Sequence, residues 1–306
     1  MRLIRGIYSL KPADNSCVAT IGNFDGLHLG HRKIIKHLKD KSNSLGLPLT
    51  IISFEPLPSE FFMPIPPARI YPMRDKVRLL DELGVDNYLC LPFNTEFSCL
   101  SPEDFINSIL LNSLNVKYLA VGDDFRFGHK REGDFQLLKE MGDNNGMEVV
   151  DTPTCIENNE RVSSTRIRQF LEVGEVALAN KLLGQPYLLS GRVRHGDKRG
   201  RTIGFPTLNM KVLGHIAAAR GVYAVKVHGL SSEPLKGVAN LGSRPTVNGA
   251  ENRLETHLFD FDNDVYGKYI GVELVEFLRT EKKFDDFNTL KSQILVDAKQ
   301  ARTKLA

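Results

Sequence analysis

The sequence predicts an α/β protein of two domains, a doubly wound parallel sheet followed by a small β-sandwich or barrel. In the first part of the chain, strand-like apolar runs alternate with segments of helical periodicity, as in a parallel sheet covered by helices. After about residue 185 the segments become short and β-like, with glycine and polar turns between them. A chain of 306 residues is long enough for two domains, which we predict at residues 1–185 and 186–306.

The elements of the first domain follow from its apolar runs. Strands rich in β-branched and aromatic residues are predicted at Cys17–Ile21, Leu49–Phe54, Asn87–Leu91, Val116–Val121 and Glu148–Val150. Helical patterns cover Arg32–Leu38, Arg74–Leu83 and Arg166–Leu183. Ser101 and Pro102 have the residue types of a helix start, with Phe105, Ile109 and Leu110 on its apolar face. Prolines predict a loop after the second strand, at Pro56, Pro58, Pro64, Pro66 and Pro67.

The second domain is predicted from several short strands at regular spacing. These strands are Tyr187–Val193, Gly221–Val227, Lys236–Leu241, Glu255–Phe261 and Ile270–Phe277. A final helix begins after Asp286 as its N-cap. Its apolar stripe, which we expect to pack against the barrel, consists of Phe287, Leu290, Ile294, Ala298, Ala301 and Leu305.

Composition excludes several classes of protein. The hydrophobic content of 42% and the charged content of 25% are those of an ordinary globular protein, and a net charge of +3 is too small to indicate nucleic-acid binding. The four cysteines lack metal-like spacing and are expected to be reduced thiols. No signal peptide is visible, and no run approaches the ~18 apolar residues of a membrane span. The cytoplasm is therefore the expected location, and the oligomeric state is not predicted.

The first predicted strand leads into a glycine-rich turn, Gly22–His31, and then into a helical pattern. Backbone N–H groups at such a turn and at a helix N-terminus favour a phosphate, and glycines let the backbone approach a ligand closely. Because His28 and His31 lie in this turn, the segment predicts a nucleoside triphosphate site. Two alternatives remain open. The histidines bind a metal with a third ligand from elsewhere, or the segment is a structural turn with surface histidines.

Two further segments carry polar groups where a parallel sheet binds ligands. Gly122–Phe125 falls at the carboxyl end of a predicted strand. Arg161–Arg168 contains two serines and a threonine at a predicted helix start, and hydroxyl, N–H and guanidinium groups there suit phosphate. The alternative for the second segment is an N-capping serine followed by solvated arginines.

Together, these three segments resemble the adenylyltransferase domain of the bifunctional riboflavin kinase/FMN adenylyltransferase family, also called FAD synthetases. The resemblance implies a Rossmann-like nucleotidyltransferase fold with a His-x-Gly-His motif. An FMN phosphate oxygen attacks the α-phosphorus of ATP there, without a protein nucleophile, so the protein positions substrates and stabilises charge. By the resemblance, the catalytic residues are His28 and His31. It places ATP at Gly22, Phe24, Asp25, Gly30, Arg161, Ser164, Thr165 and Arg168, and the flavin at Asp124, Phe125 and Phe127, near the Phe54–Phe62 loop.

The segment Gly191–Asn209 is rich in glycine and in basic residues, which suit a flap over phosphates. If Thr207 and Asn209 lie on a strand, alternation puts both on one face, where both can bind one Mg²⁺. The pattern is not a Walker loop, and the alternative from the residues alone is a charged hairpin loop.

The same segment resembles the flavokinase β-barrel domain of that family. The family motif Pro-Thr-Ala-Asn is Pro206-Thr207-Leu208-Asn209 here, and Gly221–Tyr223, Val238–Thr246 and Leu254–His257 also match. The resemblance implies that Glu255 is the general base for the ribityl hydroxyl of riboflavin, and that Thr207 and Asn209 bind Mg²⁺. It places the ATP phosphates of the kinase at Gly191, His195, Gly196, Gly200, Arg201 and Gly204.

The resemblance covers nearly the whole chain. It implies an enzyme that converts riboflavin to FMN and FMN to FAD, with ATP as the second substrate and Mg²⁺ as cofactor. The expected partners are these small molecules, with no nucleic acid and no membrane. Three alternatives remain: an enzyme with one active domain, suggested by Leu208 in place of Ala and Asp124 in place of Asn; a non-catalytic flavin-binding protein; and a nucleotidyltransferase for another substrate, such as a phosphopantetheine or glycerol phosphate.

Overall fold

The computed structural model of the chain describes residues 1–11, 16–122, 124–152, 155–157, 160–195, 205–246, 249–284 and 286–306. These residues form two units. The first comprises Met1–Pro67 and Lys76–Val162, and the second comprises Ala68–Asp75 and Ser163–Ala306. In the part of the chain so described, no helix is both long and apolar enough to cross a membrane.

A six-stranded parallel sheet forms the centre of the first unit. Its strands are β1 (Arg2–Arg5), β2 (Cys17–Ile21), β3 (Leu49–Glu55), β4 (Asn87–Pro92), β5 (Val116–Gly122) and β6 (Glu148–Thr152). They are ordered β1-β4-β3-β2-β5-β6, and every neighbouring pair is parallel. From β2 the chain adds β3 and β4 on one side and β5 and β6 on the other, which confirms the predicted doubly wound sheet. The carboxyl ends of β2 and β5 therefore flank the point where such sheets bind ligands.

Helices cover the sheet. They are α1 (Leu29–Leu45), α2 (Pro58–Phe62), α3 (Met73–Glu82), α4 (Thr95–Ser98), α5 (Pro102–Phe105) and α6 (Phe135–Asn145). After α5 the chain continues as a π-helix, Ile106–Ser113, and β7 (Ile156–Glu157) pairs with β8 (Glu160–Arg161) as a short hairpin. Because both faces of the sheet are covered, β2 is buried along its whole length.

Helix α1 begins earlier than the apolar pattern predicted. The Nδ1 atom of His28 accepts a hydrogen bond from the His31 N–H at 3.4 Å, so His28 is the N-cap and the helix starts at Leu29. Histidine is not among the usual N-cap residues, which is why the periodicity of Arg32–Leu38 gave too late a start. The consequence is that the predicted phosphate turn leads directly into the first turn of α1.

A closed antiparallel barrel forms the centre of the second unit. Its strands are β9 (Leu188–Arg194), β10 (Leu208–Val212), β11 (Gly221–His228), β12 (Leu235–Thr246), β13 (Gly249–Leu258) and β14 (Tyr269–Thr280). They close in the order β10-β13-β12-β11-β14-β9, and the neighbouring strands pair antiparallel. This confirms the barrel that the short strands predicted.

The helix predicted over Arg166–Leu183 is two helices. Gly174, with φ of 81°, separates α7 (Ser164–Glu172) from α8 (Val176–Leu183). An added Cβ at Gly174 would lie 2.6 Å from the Phe277 ring, so glycine also permits close packing on β14. Both helices group with the barrel, as does the segment 68–75, whose Ile70 carbonyl accepts a bond from the Tyr187 hydroxyl at 2.6 Å. The two structural units therefore do not divide at residue 185. The boundary between the two functional domains after residue 185 stays a prediction.

The final helix is α9 (Phe287–Lys304), capped as predicted by Asp286, which accepts from the Thr289 N–H at 2.9 Å. Ala298, Ala301 and Leu305 pack against the barrel together with Val222 and Val238. The prediction was wrong for Phe287, which is 53% exposed. The buried residues of α9 are Asp297, Ala298 and Ala301, so its second half makes this contact.

Candidate active sites

The turn between β2 and α1 holds two residues in an unfavourable backbone conformation. Phe24 and Leu27 have φ of 46° and 44°, in the left-handed region that costs on the order of 1–3 kcal/mol per non-glycine residue. Both side chains are buried, and this burial offsets the cost. Such strain is concentrated at ligand sites. Because the turn follows the carboxyl end of β2, it brings the N-terminus of α1 to the sheet edge where anions bind.

The two histidines of the turn lie against each other. The His28 and His31 rings stack with centroids 3.7 Å apart, and the Phe24 ring lies 4.9 Å from His31. An added Cβ at Gly30 would be 3.2 Å from the His28 ring and 3.3 Å from the Cys155 Cβ, so a larger residue there would displace the imidazole. The predicted residues Phe24, His28, Gly30 and His31 therefore form one packed cluster.

Both histidines are neutral at pH 7. Burial lowers the pKa of His28 to about 4, and the charge of Arg161 acts in the same direction. Burial, with the neighbouring His28 and the charge of Lys76, holds the pKa of His31 well below 6.5. Each ring thus offers one N–H donor and one acceptor nitrogen. The buried Nδ1 of His31 has no hydrogen-bond partner among the described residues, and such an atom is typical of a functional site.

The depressed pKa of His28 predicts a pH-dependent stability. Between pH 6.5 and about 4 the unfolded chain binds a proton at this position and the folded chain does not, so stability falls as pH is lowered. Compared with His28→Asn, the wild type should lose about 3 kcal/mol more unfolding free energy over this range. Asparagine is itself a good N-cap, so the variant keeps α1. Urea unfolding at several pH values measures the difference, and parallel curves for the two proteins would contradict it.

Arg161 and Asp124 meet at the same edge of the first unit. The Arg161 Nη2 lies 3.0 Å from the Asp124 Oδ2, and the two side chains are 60% and 64% exposed. An ion pair so exposed contributes little stability, about 0–1 kcal/mol. Arg161 is the last residue of β8. Its charge acts on His28, so the structure brings together three of the predicted residues, His28, Asp124 and Arg161.

A cavity of about 610 Å³ opens beside the turn, within the first unit. Predicted residues that line it are Gly22, Asp124, Phe125 and Phe127, together with Phe54 and Phe62 from the predicted loop. Phe125 and Phe127 stack with centroids 5.5 Å apart. An apolar, aromatic cavity with a few polar groups is the usual form of a small-molecule site, and its volume suits a flat ring system.

Sequence reasoning missed part of this cavity. Phe93, Phe97 and Phe105 also line it, and its edge carries the basic residues Arg126, Lys130 and Arg131. The phenylalanine rings of the cavity pack edge-to-face or tilted against one another. The ring centroids of Phe54 and Phe93, for example, are 5.7 Å apart. The density of phenylalanine between residues 93 and 105 was the available signal, but isolated phenylalanines are more often core residues.

The predicted residues Ser164, Thr165 and Arg168 lie in the second unit, on the first turns of α7. Ser163 is the N-cap and accepts from the Arg166 N–H at 3.4 Å, which leaves the Ser164 and Thr165 side chains outside the cap. The Arg168 Nε donates to the Ala68 carbonyl at 2.7 Å, which fixes that side chain along α7. Their role in binding phosphates stays a prediction.

On the barrel, the predicted base and a predicted metal ligand are direct neighbours. Asn209 of β10 pairs with Glu255 of β13, which pairs in turn with Asn240 of β12. Directly opposed residues of antiparallel strands share one face, so these three side chains form a row. The Glu255 side chain is 43% exposed and its Oε1 lies 3.6 Å from the Arg253 Nη1. Asn240, which sequence reasoning missed, donates to the Glu281 Oε1 at 3.1 Å.

Thr207 lies just before β10 and lines a cavity of about 150 Å³ in the second unit. Leu208, Val193 and Tyr266 also line it, and the His195 ring lies 3.8 Å from that of Tyr266. Gly191 is buried in β9, where an added Cβ would lie 2.5 Å from the Met210 side chain. The predicted residues Gly196, Gly200, Arg201 and Gly204 lie outside the described residues.

The residues of the barrel site fit Mg²⁺. Asn209 is 7% exposed, and its Oδ1 has no hydrogen-bond partner among the described residues. An amide oxygen of this kind is a suitable ligand, and Mg²⁺ typically takes only one or two protein oxygens together with substrate phosphates. Among the residues that the structure describes, no group of three or more His, Cys, Asp or Glu could hold a metal. In that part of the chain, His28 and His31 therefore lack the third such ligand that a two-histidine metal site requires.

Comparison with known proteins covers both units. Residues 10–166 match the family model of FAD synthetase, and residues 183–305 match that of riboflavin kinase. A curated Escherichia coli K12 protein named bifunctional riboflavin kinase/FMN adenylyltransferase is 48% identical over 304 residues, 99% of this chain and 97% of that protein. The chain belongs to the bifunctional riboflavin kinase/FMN adenylyltransferase family. Relatives of the same name from Haemophilus influenzae and Pseudomonas fluorescens are 44% and 42% identical, and each match covers at least 98% of both chains.

A solved structure has the same fold over its whole length. It is named macrolide-efflux protein from Streptococcus pneumoniae, is 31% identical, and has a TM-score of 0.82 with 99% of both chains covered. The name belongs to that protein, and the curated relatives reported above do not share it.

The two residues that suggest an enzyme with one active domain both lie within the candidate sites. The Asp124 carboxylate pairs with Arg161. Leu208 lines the cavity beside Thr207, while Asn209 faces Glu255.

Proposed function

We propose that this chain phosphorylates riboflavin with ATP to give FMN, and adenylylates FMN with a second ATP to give FAD and pyrophosphate. The observation that carries the proposal is the match to both family models in tandem over nearly the whole chain. We assign the transferase to residues 1–185 and the kinase to residues 186–306. ATP as substrate and four cysteines present as thiols support a cytoplasmic location.

The transferase reaction is assigned to the turn and the aromatic cavity of the first unit. The flavin ring of FMN binds among the phenylalanines of the 610 Å³ cavity. A phosphate oxygen of FMN then attacks the α-phosphorus of ATP, and the bond to pyrophosphate breaks. Neutral His28 and His31 donate hydrogen bonds to the α-phosphate, where charge develops, with the N-terminus of α1 behind them. Arg161, Ser164, Thr165 and Arg168 hold the leaving phosphates.

The kinase reaction is assigned to the barrel face that carries Asn209 and Glu255. Glu255 takes the proton of the terminal ribityl hydroxyl as that oxygen attacks the γ-phosphorus of ATP, and ADP leaves. The partial exposure of Glu255 leaves it accessible to a substrate hydroxyl. Thr207 and Asn209 would hold Mg²⁺, which neutralises phosphate charge when bound. The small cavity beside Thr207 is the candidate position of the nucleotide.

Chromatography of flavins tests both activities together. Purified protein is incubated with riboflavin, ATP and Mg²⁺, and samples without ATP serve as controls. FMN should appear first and FAD after it. FMN that accumulates without FAD would contradict the transferase assignment, with Asp124 the first residue to test. Conversion of supplied FMN but not of riboflavin would contradict the kinase assignment, and Leu208 would be the first residue to test.

Removing the amide oxygen of Asn209 should separate metal binding from stability. Asn209→Ala is expected to raise the Mg²⁺ concentration needed for FMN formation by roughly 10- to 100-fold. The unfolding free energy should change by less than about 1 kcal/mol, because the Oδ1 atom has no partner among the described residues to lose. Asn252→Ala is the control, since Asn252 lies on β13 and bonds the Gly214 carbonyl. An unchanged Mg²⁺ requirement would exclude Asn209 as a ligand.

A further inference from the structure

A buried lysine lies behind the phosphate turn of the first unit. Lys76 of α3 is 2% exposed, and its Nζ donates to the Asn23 carbonyl at 2.8 Å. Burying an ammonium group is costly unless it is hydrogen-bonded, so the bond to the turn holds the Lys76 ammonium in a defined position. No reaction step assigned above uses Lys76. The inference drawn from it rests on the proposed transferase function.

The bond from Lys76 determines how one peptide of the turn is oriented. Asn23 is the second residue after β2, and it also lines the aromatic cavity. In a planar trans peptide the C=O and the following N–H point in opposite directions. Because Lys76 binds the Asn23 oxygen, the Phe24 N–H faces away from α3. If this peptide were flipped, its carbonyl oxygen would point away from α3 in place of the N–H, and it would repel a phosphate there.

The same peptide connects to His31 through Phe24. Phe24 has the strained φ of 46°, and its ring lies 4.9 Å from the His31 ring. A residue in this conformation returns to a more favourable one unless its neighbours fix both of its peptides. The bond from Lys76 fixes the peptide that precedes Phe24. The position of the His31 ring therefore depends on Lys76 through two contacts.

The charge of Lys76 also acts on the site. It lowers the pKa of His31, although burial and the neighbouring His28 lower that pKa more. Other charged groups at the turn include Arg32, which donates to the Leu27 carbonyl at 3.1 Å, and Asp25, which is buried in the turn itself. Arg161 acts on His28 and pairs with Asp124. A positive charge behind the turn favours a bound polyphosphate and keeps His31 a neutral donor.

We propose that Lys76 is a positioning residue of the transferase site, which holds the Asn23–Phe24 peptide and supplies a fixed positive charge behind the ATP phosphates. Replacing it should impair FAD formation through ATP. The kinase reaction, assigned to the barrel, should not depend on it.

Three substitutions separate the hydrogen bond from the charge. Lys76→Met removes the hydrogen-bond donor and the charge. Lys76→Gln keeps a donor without the charge. Lys76→Arg keeps a donor and the charge on a side chain of different length. Arg78→Gln is the matched control, because it removes a cation from the same helix, one whose Nη1 donates to Glu82 at 2.6 Å. With FMN supplied, Lys76→Met should lower kcat/KM for ATP by about 100-fold, as expected for a misplaced catalytic group. Lys76→Arg should recover part of this loss, and Arg78→Gln should retain wild-type rates.

Two further readouts distinguish positioning from a purely structural role. Riboflavin phosphorylation by the same samples reports whether the barrel is intact, and thermal unfolding followed by circular dichroism reports whether the first unit is folded. NMR titration of the His31 imidazole should show a higher pKa in Lys76→Gln and Lys76→Met than in wild type, with Arg78→Gln unchanged. If Lys76→Met does not fold, the ATP kinetics of FAD formation and the His31 titration in Lys76→Gln test the proposal.

Wild-type FAD formation with unchanged ATP kinetics in a folded Lys76→Met or Lys76→Gln would overturn the proposal. So would an unchanged His31 titration in those variants. A wild-type protein that makes no FAD from FMN would instead overturn the proposed function, so the two failures are distinguishable.

Discussion

His31→Ala should lower FAD formation from supplied FMN by roughly 10²- to 10³-fold, the effect of losing one donor to developing charge. The His31 ring stacks on His28 at 3.7 Å and contacts Phe24, so its loss also removes the group that fixes the His28 ring. FMN formation from riboflavin should persist, because that reaction is assigned to the barrel. The two rates are measured separately, with FMN and with riboflavin as substrate.

His37→Ala is the control for this variant. His37 lies on the same helix, α1, but its Nε2 is hydrogen-bonded to the Tyr118 hydroxyl at 3.2 Å, away from the turn. It should retain both activities. Comparable loss of both activities in a folded His31→Ala protein would contradict the assignment of the two reactions to separate sites.

Glu255→Gln should have the opposite effect and lower riboflavin phosphorylation by roughly 10²- to 10⁴-fold, the usual contribution of a general base. Glutamine preserves the size of the side chain and cannot take the hydroxyl proton. Glu255 is partly exposed and, among the described residues, its carboxylate has one long ionic contact, with Arg253 at 3.6 Å, so the barrel should remain folded. Conversion of supplied FMN to FAD should be unchanged.

Glu273→Gln is the matched control on the barrel. Glu273 lies on β14 and its Oε2 is 2.8 Å from the His228 Nε2, so it has a structural partner outside the row of Asn209, Glu255 and Asn240. It should phosphorylate riboflavin at the wild-type rate. Normal kinase rates in Glu255→Gln would show that another group accepts the proton.

Much of the fold was accessible from local sequence signals. The alternation of apolar runs predicted the doubly wound sheet and the barrel, because both depend on patterns within single elements. The features that were not predicted include strand β1, helix α6 and the break at Gly174. β1 is short and at the sheet edge. Gly174 lies inside a continuous apolar pattern, and its role depends on contact with Phe277, which is distant in sequence.

The candidate sites could be predicted from the sequence only where their residues form a contiguous motif. The turn with His28 and His31 is one segment, so its residues could be named directly. The pairing of Asn209 with Glu255 depends on the register of β10 against β13, and a shift of one residue would reverse the face of Glu255. The flavin cavity draws phenylalanines from separate segments, and Lys76 reaches the turn from another helix. Such contacts arise from tertiary structure and leave no local signal.

Mixing the two impaired variants tests the central claim most directly, that one chain carries two separable sites. Alone, His31→Ala and Glu255→Gln should each make FAD from riboflavin, ATP and Mg²⁺ at least about 100-fold more slowly than wild type. An equal mixture should make FAD much faster than either variant alone, because His31→Ala supplies the FMN that Glu255→Gln adenylylates. A single variant that makes FAD at the wild-type rate, or a mixture of folded variants that is no faster than either variant alone, would contradict two separate sites.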